Sequence, residues 1–384
     1  MKRLILLPLA IILASVLILG ACAEEAAPAP APAPAPSPKP APSQEPTRIT
    51  PTVPAPPPTA PAPAPEKVYN LKFNDWGPAG ITIGKLHIQA ADMIEERTGG
   101  NVKITSYFSQ SLLKYGDTYR GISSGIADIS LYVIGATQGV HDINSVISLP
   151  FAGLPNMPDG TKIYTELRQK YPELDEENAR THTMWLDTRM MAGTQLHLVK
   201  KSAMIPEDLK GMKIISGASM TDMLLAVDAA GVILGPPDWY ISIERGLVEG
   251  HLTHWPAVYD FQLLELFKFH TVYGDGGAGM APIGFMVNLN SWNELPGEYQ
   301  KIITEVYTWV NDESVKADLE LIATAERTAK EWGHIITYLK PEQVEPWAEL
   351  VIPYHKKWIA DTTAKGWPAQ EIYDGMKEIV AKYK

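Results

Sequence analysis

The sequence predicts an α/β fold in two lobes, and three observations predict it. Strand-like and helix-like segments alternate from residue 68 to residue 134, which is the pattern of a mostly parallel sheet with right-handed crossovers. The stretch 205–219 has a Pro-Glu-Asp turn, a strand over 212–215 and a break at Gly217 before helical spacing resumes over 220–230. A strand that ends at a loop feeding a helix N-terminus is where open α/β sheets place ligands. Finally, about 320 residues follow the first 66, enough for two separate cores.

The first 66 residues do not join either core. Residues 1–21 carry Lys2 and Arg3, then an apolar run from Leu4 to Leu19, then Gly20 and Ala21. This is a secretory signal peptide. Leu19-Gly20-Ala21-Cys22 fits a lipobox, in which the thiol of Cys22 is lipidated and becomes the new N-terminus. The competing interpretation is a membrane-spanning anchor, since the run approaches spanning length. The lipobox is preferred because Cys22 is the one cysteine in the sequence and sits at the cleavage point. Without a second cysteine there is no intramolecular disulfide, so stability comes from the core. Residues 22–66 form an Ala/Pro-rich tether, extended and polyproline-like, able to reach on the order of 130 Å.

The formal charge of −11 becomes −13 once Lys2 and Arg3 leave with the signal. An acidic surface argues against nucleic acid as a partner.

Within the folded part, 68–73 alternates as a strand, 74–78 is a turn, and 83–98 is an amphipathic helix. Trp76 follows the carboxyl end of the first strand, where ligand-facing residues belong. Strands are expected at 102–108 and 129–134, with a helix over 119–125 between them. Further on, a helix at 161–171 precedes strands at 183–186 and 195–199. A short strand at 232–234 and a helix starting at Pro236 follow the Gly217 segment. From Pro296 to Trp332 apolar residues recur at helical spacing, with a polar interval at 311–314. One helix of that length would span about 50 Å, more than one lobe needs. Two more helices, 342–364 and 369–383, end the chain, separated by Gly366-Trp367-Pro368.

Two local patterns are set aside on order. Gly121-Ile122-Ser123-Ser124-Gly125 matches a nucleophile elbow, but an elbow runs strand, turn, helix, and here a helix precedes a strand. Gly274-Asp275-Gly276-Gly277-Ala278-Gly279 matches a dinucleotide loop, but Pro282 and a strand-like run follow it instead of a helix.

Five segments in order resemble the TRAP-type solute-binding proteins, DctP-like receptors of tripartite ATP-independent periplasmic transporters. They are Glu-Glu-Arg-Thr-Gly-Gly-Asn-Val-Lys-Ile at 95–104, Gly-Ile-Ala-Asp-Ile-Ser at 125–130, Pro-Glu-Asp-Leu-Lys-Gly-Met-Lys-Ile at 206–214, Asp238 and Tyr240 with Val-Glu-Gly at 248–250, and the return through 285–303. The resemblance spans about 68–383. It implies a two-lobed periplasmic-binding-protein fold with a long helix bracing both lobes. The lobes are then 67–193 plus 281–320, and 194–280 plus 321–384.

The resemblance also implies a site. In this family two arginines clamp a solute carboxylate with bidentate, charge-assisted hydrogen bonds. The matching positions here are Gln195 and Ile215, so both charges are absent. Three possibilities stay open: a neutral or weakly polar ligand, another cation such as Arg189 or Arg120, or a bridging metal ion. Arg189 by itself reads as a solvated surface residue. Thr253 matches a ligand-contacting Asn, and Trp255 two places on is expected in the pocket. Trp76, Tyr132 and Ala218 complete the expected solute-binding set. His251 and His254, three apart, would suit a metal on a helix but lack a third ligand, and read as packing near the cleft. No metal, cofactor or catalytic set is expected.

The implied function is a lipid-anchored extracytoplasmic receptor that captures a small organic solute, by family default an organic acid, and hands it to TRAP permease subunits in the membrane. The alternatives are a secreted lipoprotein hydrolase using Ser123, or a ligand-binding sensor module.

Overall fold

The computed structural model describes residues 67–383 apart from Gln138; the signal peptide, Cys22 and the 22–66 tether lie outside the described residues. The chain opens with β1 (Tyr69–Asn74), α1 (Thr82–Arg97), β2 (Val102–Tyr107), α2 (Thr118–Ser123), β3 (Ile129–Val133), α3 (Met157–Lys170), α4 (Glu173–Ala179) and β4 (Thr183–Met190). It crosses over and forms β5 (Gln195–Leu198), β6 (Lys213–Ile215), α5 (Ala218–Leu225), β7 (Ala230–Val232), α6 (Trp239–Glu244), β8 (Gly250–Thr253), α7 (Trp255–Asp260) and β9 (Phe269–Val272). It then returns through β10 (Pro282–Asn288) and α8 (Leu289–Asn293) to α9 (Gly297–Glu331). The tail is β11 (Ile335–Tyr338), α10 (Pro341–Leu350), α11 (Ile352–Ala364) and α12 (Ala369–Ala381).

Two sheets make two lobes. The first has the order β2-β1-β3-β10-β4 and the second β11-β9-β5-β8-β6-β7. β1, β2 and β3 are parallel, as the βαβα alternation predicts. β10 runs antiparallel to both β3 and β4, because it enters from the other lobe and not over a helical crossover. The second sheet is mixed in the same way, with β5 antiparallel to β8 and β9. Residues 191–194 and 273–281 are the two strands of chain that pass between the sheets.

Helix α9 joins the lobes. Ile303, Val306, Tyr307 and Val310 are buried in the core of the first lobe, whereas Ala325 and Ala329 enter a core of the second. The polar interval at 311–314 does not interrupt it. Asn311 and Ser314 are buried, and Asn311 lies beside the Asp187 carboxyl of β4. Polar residues here are a buried contact and not a solvent-facing break.

The tail divides in a way the expected boundary did not. Trp347 and Val351 pack in the second lobe, but α12 buries Ile372, Met376, Ile379 and Val380 in the first. Assigning 321–384 wholly to the second lobe is therefore corrected at α12. The reason is close helix packing: a Cβ on Gly375 would lie 2.1 Å from the Tyr171 hydroxyl just after α3, so only glycine lets the helices approach this far. The single tail helix expected over 342–364 is two, separated at Val351, with Pro353 in the first turn of α11 where proline is tolerated.

Candidate functional site

The carboxyl ends of the parallel strands converge between the lobes on a cavity of about 120 Å³. The first lobe supplies Val133 and Ile134 from the end of β3, with Tyr115 and Ser148 from short 3-10 turns. The second supplies Ile215 at the end of β6, Gly217 and Ala218 at the start of α5, Trp239 of α6, and His251, Thr253 and His254 at the end of β8. Met191 and Thr194 from the first crossover and Met280 from the second complete the wall. Strand ends meeting a helix N-terminus across two lobes is the arrangement expected of a ligand cleft.

Among the described residues that line this cavity there is no Asp, Glu, Lys or Arg. Its two histidines are neutral. Burial, and then the neighbouring His254, hold His251 down at about 3. Burial also holds His254 down at about 4, with Asp318 opposing and Arg189 reinforcing the shift. Tyr115 is pushed up to about 12 by desolvation, so it stays a phenol. The Nδ1 of His251 is buried without a hydrogen-bond partner, and its ring lies edge-on to Trp239 at 4.5 Å. His254 caps α7: its Nδ1 accepts from the Ala257 N–H at 3.2 Å. An imidazole nitrogen that accepts carries no proton, so in neutral His254 the proton is on Nε2.

A smaller chamber of about 50 Å³ adjoins the cavity, sharing Met191 and His254 and reaching Trp76, Arg189, Asp260 and Asp318. Trp76 is fixed by its neighbour Asp75, whose Oδ1 accepts from Gly77 N–H at 2.7 Å and whose Oδ2 pairs with His87 Nδ1 at 2.6 Å. The Trp76 ring meets Tyr115 edge-on at 5.4 Å. On the other side, Ala218 and Ser219 also face a wider mouth of about 260 Å³ that carries Asp222, Lys357 and Asp361.

Of the residues singled out from sequence, Ile215, Ala218 and Thr253 line the cavity and Trp76 lines the adjoining chamber. Three others do not reach the cavity. Gln195 donates to Gly274 O at 2.8 Å and accepts from Tyr273 N–H at 2.9 Å, so its amide holds the second crossover. Side chains alternate along a strand, and its neighbour Thr194 takes the cavity side. Tyr132 is displaced by the same alternation. Val133 lines the cavity, while Tyr132 packs on Tyr119 at 5.4 Å and Trp185 at 5.9 Å, with its hydroxyl 3.0 Å from His141 Nε2. Trp255 starts α7 and is buried against His197 and His270 at 4.8 and 4.7 Å, facing a crevice behind β5 with Gln195.

Arg189 is not at the surface. It is 4% exposed, and its Nη1 pairs with Asp318 of α9 at 2.8 Å. Arg120 is exposed and away from the cavity. His251 and His254 do not share a helical face, since one is on β8 and the other precedes α7. Ser123 closes α2 ahead of β3 and its hydroxyl donates to Thr181 O at 2.7 Å, which is not the geometry of an activated nucleophile. Tyr115, Thr194 and Trp239 were not singled out from sequence. Thr194 carried a usable signal as the strand neighbour of Gln195, whereas Tyr115 arrives on a short 3-10 turn that no motif marks.

The family model for bacterial extracellular solute-binding proteins, family 7, matches residues 75–361. A monocarboxylate 2-oxoacid-binding periplasmic protein of Nostoc sp. is 26% identical over 227 residues, covering 55% of this chain and 58% of that protein. A solute-binding protein of Albidiferax ferrireducens is 20% identical over 275 residues, 67% of this chain and 75% of that one. Among solved structures, a TRAP solute-binding protein from Rhodoferax ferrireducens with copurified benzoate superposes with a TM-score of 0.72 at 21% identity, covering 82% of this chain and 98% of its own. A marine-metagenome TRAP protein specific for aromatic acids, in complex with 3-hydroxybenzoate, gives 0.73 at 21% identity, covering 83% and 99%. At these identities the superpositions speak to the fold.

Proposed function

The chain belongs to the bacterial extracellular solute-binding proteins of family 7 and is a TRAP-type extracytoplasmic solute receptor, and on that premise we propose that its solute is a small, partly apolar organic molecule whose head carries no net charge. One observation carries the reading: among the described residues the cavity wall has no ionised side chain, and Ile215 stands where the resemblance implies a guanidinium. A carboxylate closed into such a wall would be an uncompensated buried charge, costing several kcal/mol. An uncharged solute meets no such penalty, because His251, His254 and the hydroxyls of Thr194 and Thr253 offer hydrogen bonds without charge. Aromatic acids in related structures support a ring-sized body, which Trp239 and Tyr115 would flank here.

On this reading the two lobes close about the crossovers 191–194 and 273–281, with 67–193, 281–320 and α12 moving as one body against the rest. Closure excludes water and forms the surface that TRAP permease subunits recognise, and the solute leaves chemically unchanged. Lipidated Cys22 and the 22–66 tether would hold the receptor at the membrane while leaving it free to move.

Native mass spectrometry of protein purified from its own host identifies the retained solute, and calorimetry with matched acids and amides then ranks the heads. A neutral co-purified solute with carboxylates binding at least about tenfold more weakly is the expected result. A carboxylate bound tightly to wild type overturns the neutral-head reading. For the anchor, Cys22→Ser is expected to move the protein from the membrane to the soluble fraction.

A further inference from the structure

The small chamber beside the main cavity has a one-sided chemistry. The indole Nε1 of Trp76, which is 7% exposed, is buried with no hydrogen-bond acceptor. So is the Nε of Arg189, although Nη1 of the same guanidinium is engaged by Asp318 and by Met190 O. The third polar group on the chamber wall is His254. Its Nδ1 is occupied by the Ala257 N–H, so its proton is on Nε2, and the ring stands where the chamber meets the main cavity. Two buried N–H donors that line this 50 Å³ chamber, Trp76 Nε1 and Arg189 Nε, therefore lack protein acceptors among the described residues, and the His254 ring lines the same space. Buried donors are normally paired, and two left open around one small space, with an imidazole beside them, call for an acceptor atom there.

The charges around the chamber decide what kind of acceptor. Arg189 is neutralised by Asp318 at 2.8 Å, and Asp260 adds a second acidic group, held at its Oδ1 by Thr82 at 3.1 Å. The chamber thus holds one guanidinium and two carboxyl groups, and burial and Asp318, with Lys85 opposing, already disfavour charge on Asp260 as they would on an anionic head. The rest of the wall is apolar, with Ile83, Met191, Phe261 and Ile283. The geometry points to a neutral carbonyl oxygen, of a ketone, amide or ester, as the head of the solute, seated between Trp76 Nε1, His254 Nε2 and Arg189 Nε. Its apolar body would lie in the main cavity across Met191. This rests on the neutral-head reading above and goes further, in naming the functional group and where it sits.

The test uses three probes of one skeleton on protein stripped of co-purified solute by unfolding and refolding: acetophenone, ethylbenzene and benzoate. The Trp76 indole ¹H–¹⁵N signal, assigned by its loss in Trp76→Phe, reports occupation of the chamber. Acetophenone is expected to move that signal saturably and to bind about tenfold more tightly than ethylbenzene, the ratio that one or two neutral hydrogen bonds supply. His254→Asn keeps a residue able to cap α7 but removes Nε2–H. It is expected to remove most of the tenfold preference for acetophenone over ethylbenzene, with its melting curve checking the fold. Equal binding of the ketone and hydrocarbon overturns the inference, as does an indole signal that none of the probes moves, or one that benzoate alone moves. Solution scattering separates this from the receptor reading. Probes that bind without reducing the radius of gyration count against the receptor, while an unmoved indole in a protein that closes on its co-purified solute counts against the carbonyl seat alone.

Discussion

Replacing Ile215 by arginine puts the neutral-cavity reading under direct load. Ile215 is 1% exposed at the end of β6 and packs with Ile243, Val248 and Trp255, and no described carboxylate lines the cavity beside it. A guanidinium introduced there has no counter-ion. An unpaired buried charge costs about 3–5 kcal/mol, and for a chain of this size that lowers the melting temperature by roughly 5–15 °C. Ile215→Met, which fills similar space without charge, is the packing control and is expected to cost less than about 1.5 kcal/mol. Adding benzoate should then separate the proteins. Opposite unit charges about 4 Å apart attract by about 4 kcal/mol at an effective dielectric near 20. If about 3 kcal/mol of that survives desolvation, benzoate binds Ile215→Arg about a hundredfold more tightly than wild type, and most of the lost melting temperature returns. Thermal melts with and without benzoate and with benzamide, backed by calorimetry, measure both effects. Equal benzoate affinity in wild type and Ile215→Arg would falsify the argument, because wild type would then hold a carboxylate without a cation at this position.

Acidification should destabilise the protein through its buried imidazoles. His197 and His251 are held down at about 3, His254 at about 4 and His270 at about 2, in each case chiefly by burial. Because the folded values lie below the unfolded value of about 6.5, the unfolded chain binds more protons below that pH. The stability is complete above pH 6.5 and is lost as pH falls towards the folded values, by up to about 2 kcal/mol per imidazole at pH 5; equal melting temperatures at pH 7.5 and 5.0 would exclude this. Gly375→Ala should lower stability by about 1 kcal/mol, since displacing Tyr171 costs more than the gain in helix propensity, and a raised midpoint in urea would contradict the close approach. Gln195→Leu leaves Tyr273 N–H and Gly274 O without their partner and should cost about 1–3 kcal/mol with the preference between amide and acid probes unchanged. A changed preference would put Gln195 back in the site.

The fold was legible where periodicity and connection order carried it. The βαβα run through β3 and the 3.6-residue spacing over α9 both set side chains on a buried face, and both elements formed as read. The strands β8, β9 and β11 were not legible, because His251, His270 and the short Ile335–Tyr338 run give no apolar alternation. Their histidines are core residues that burial keeps neutral, a state that composition does not reveal. In the site, the register of β6 brought Ile215 to the cavity, but the same period of two sent Gln195 and Tyr132 to the opposite faces of β5 and β3. A motif fixes which residue occupies a strand position. It does not fix which face of the sheet lines the cavity, and only the neighbouring lobe decides that.

The second lobe shows how neutral polar groups can hold a cavity-lining residue in place. Lys268 Nζ lies 3.3 Å from His334 Nε2, His334 Nδ1 lies 3.1 Å from His270 Nε2, and His270 Nδ1 lies 2.8 Å from His197 Nδ1. His197 Nε2 is then 3.3 Å from the carbonyl of Thr253. An ammonium only donates and a carbonyl only accepts, while each neutral imidazole has one nitrogen of each kind. Direction is therefore fixed from both ends: each histidine accepts from the lysine side and donates towards Thr253, and every link is satisfied. A proton added to any of the three rings would turn an acceptor into a donor facing another donor, which adds to burial in keeping the chain neutral. The chain ends on the backbone of Thr253, which lines the cavity between the lobes. Thr253 is thus positioned by a charged group at the other end of a buried line of imidazoles, and the cavity gains an oriented wall without taking in the charge itself.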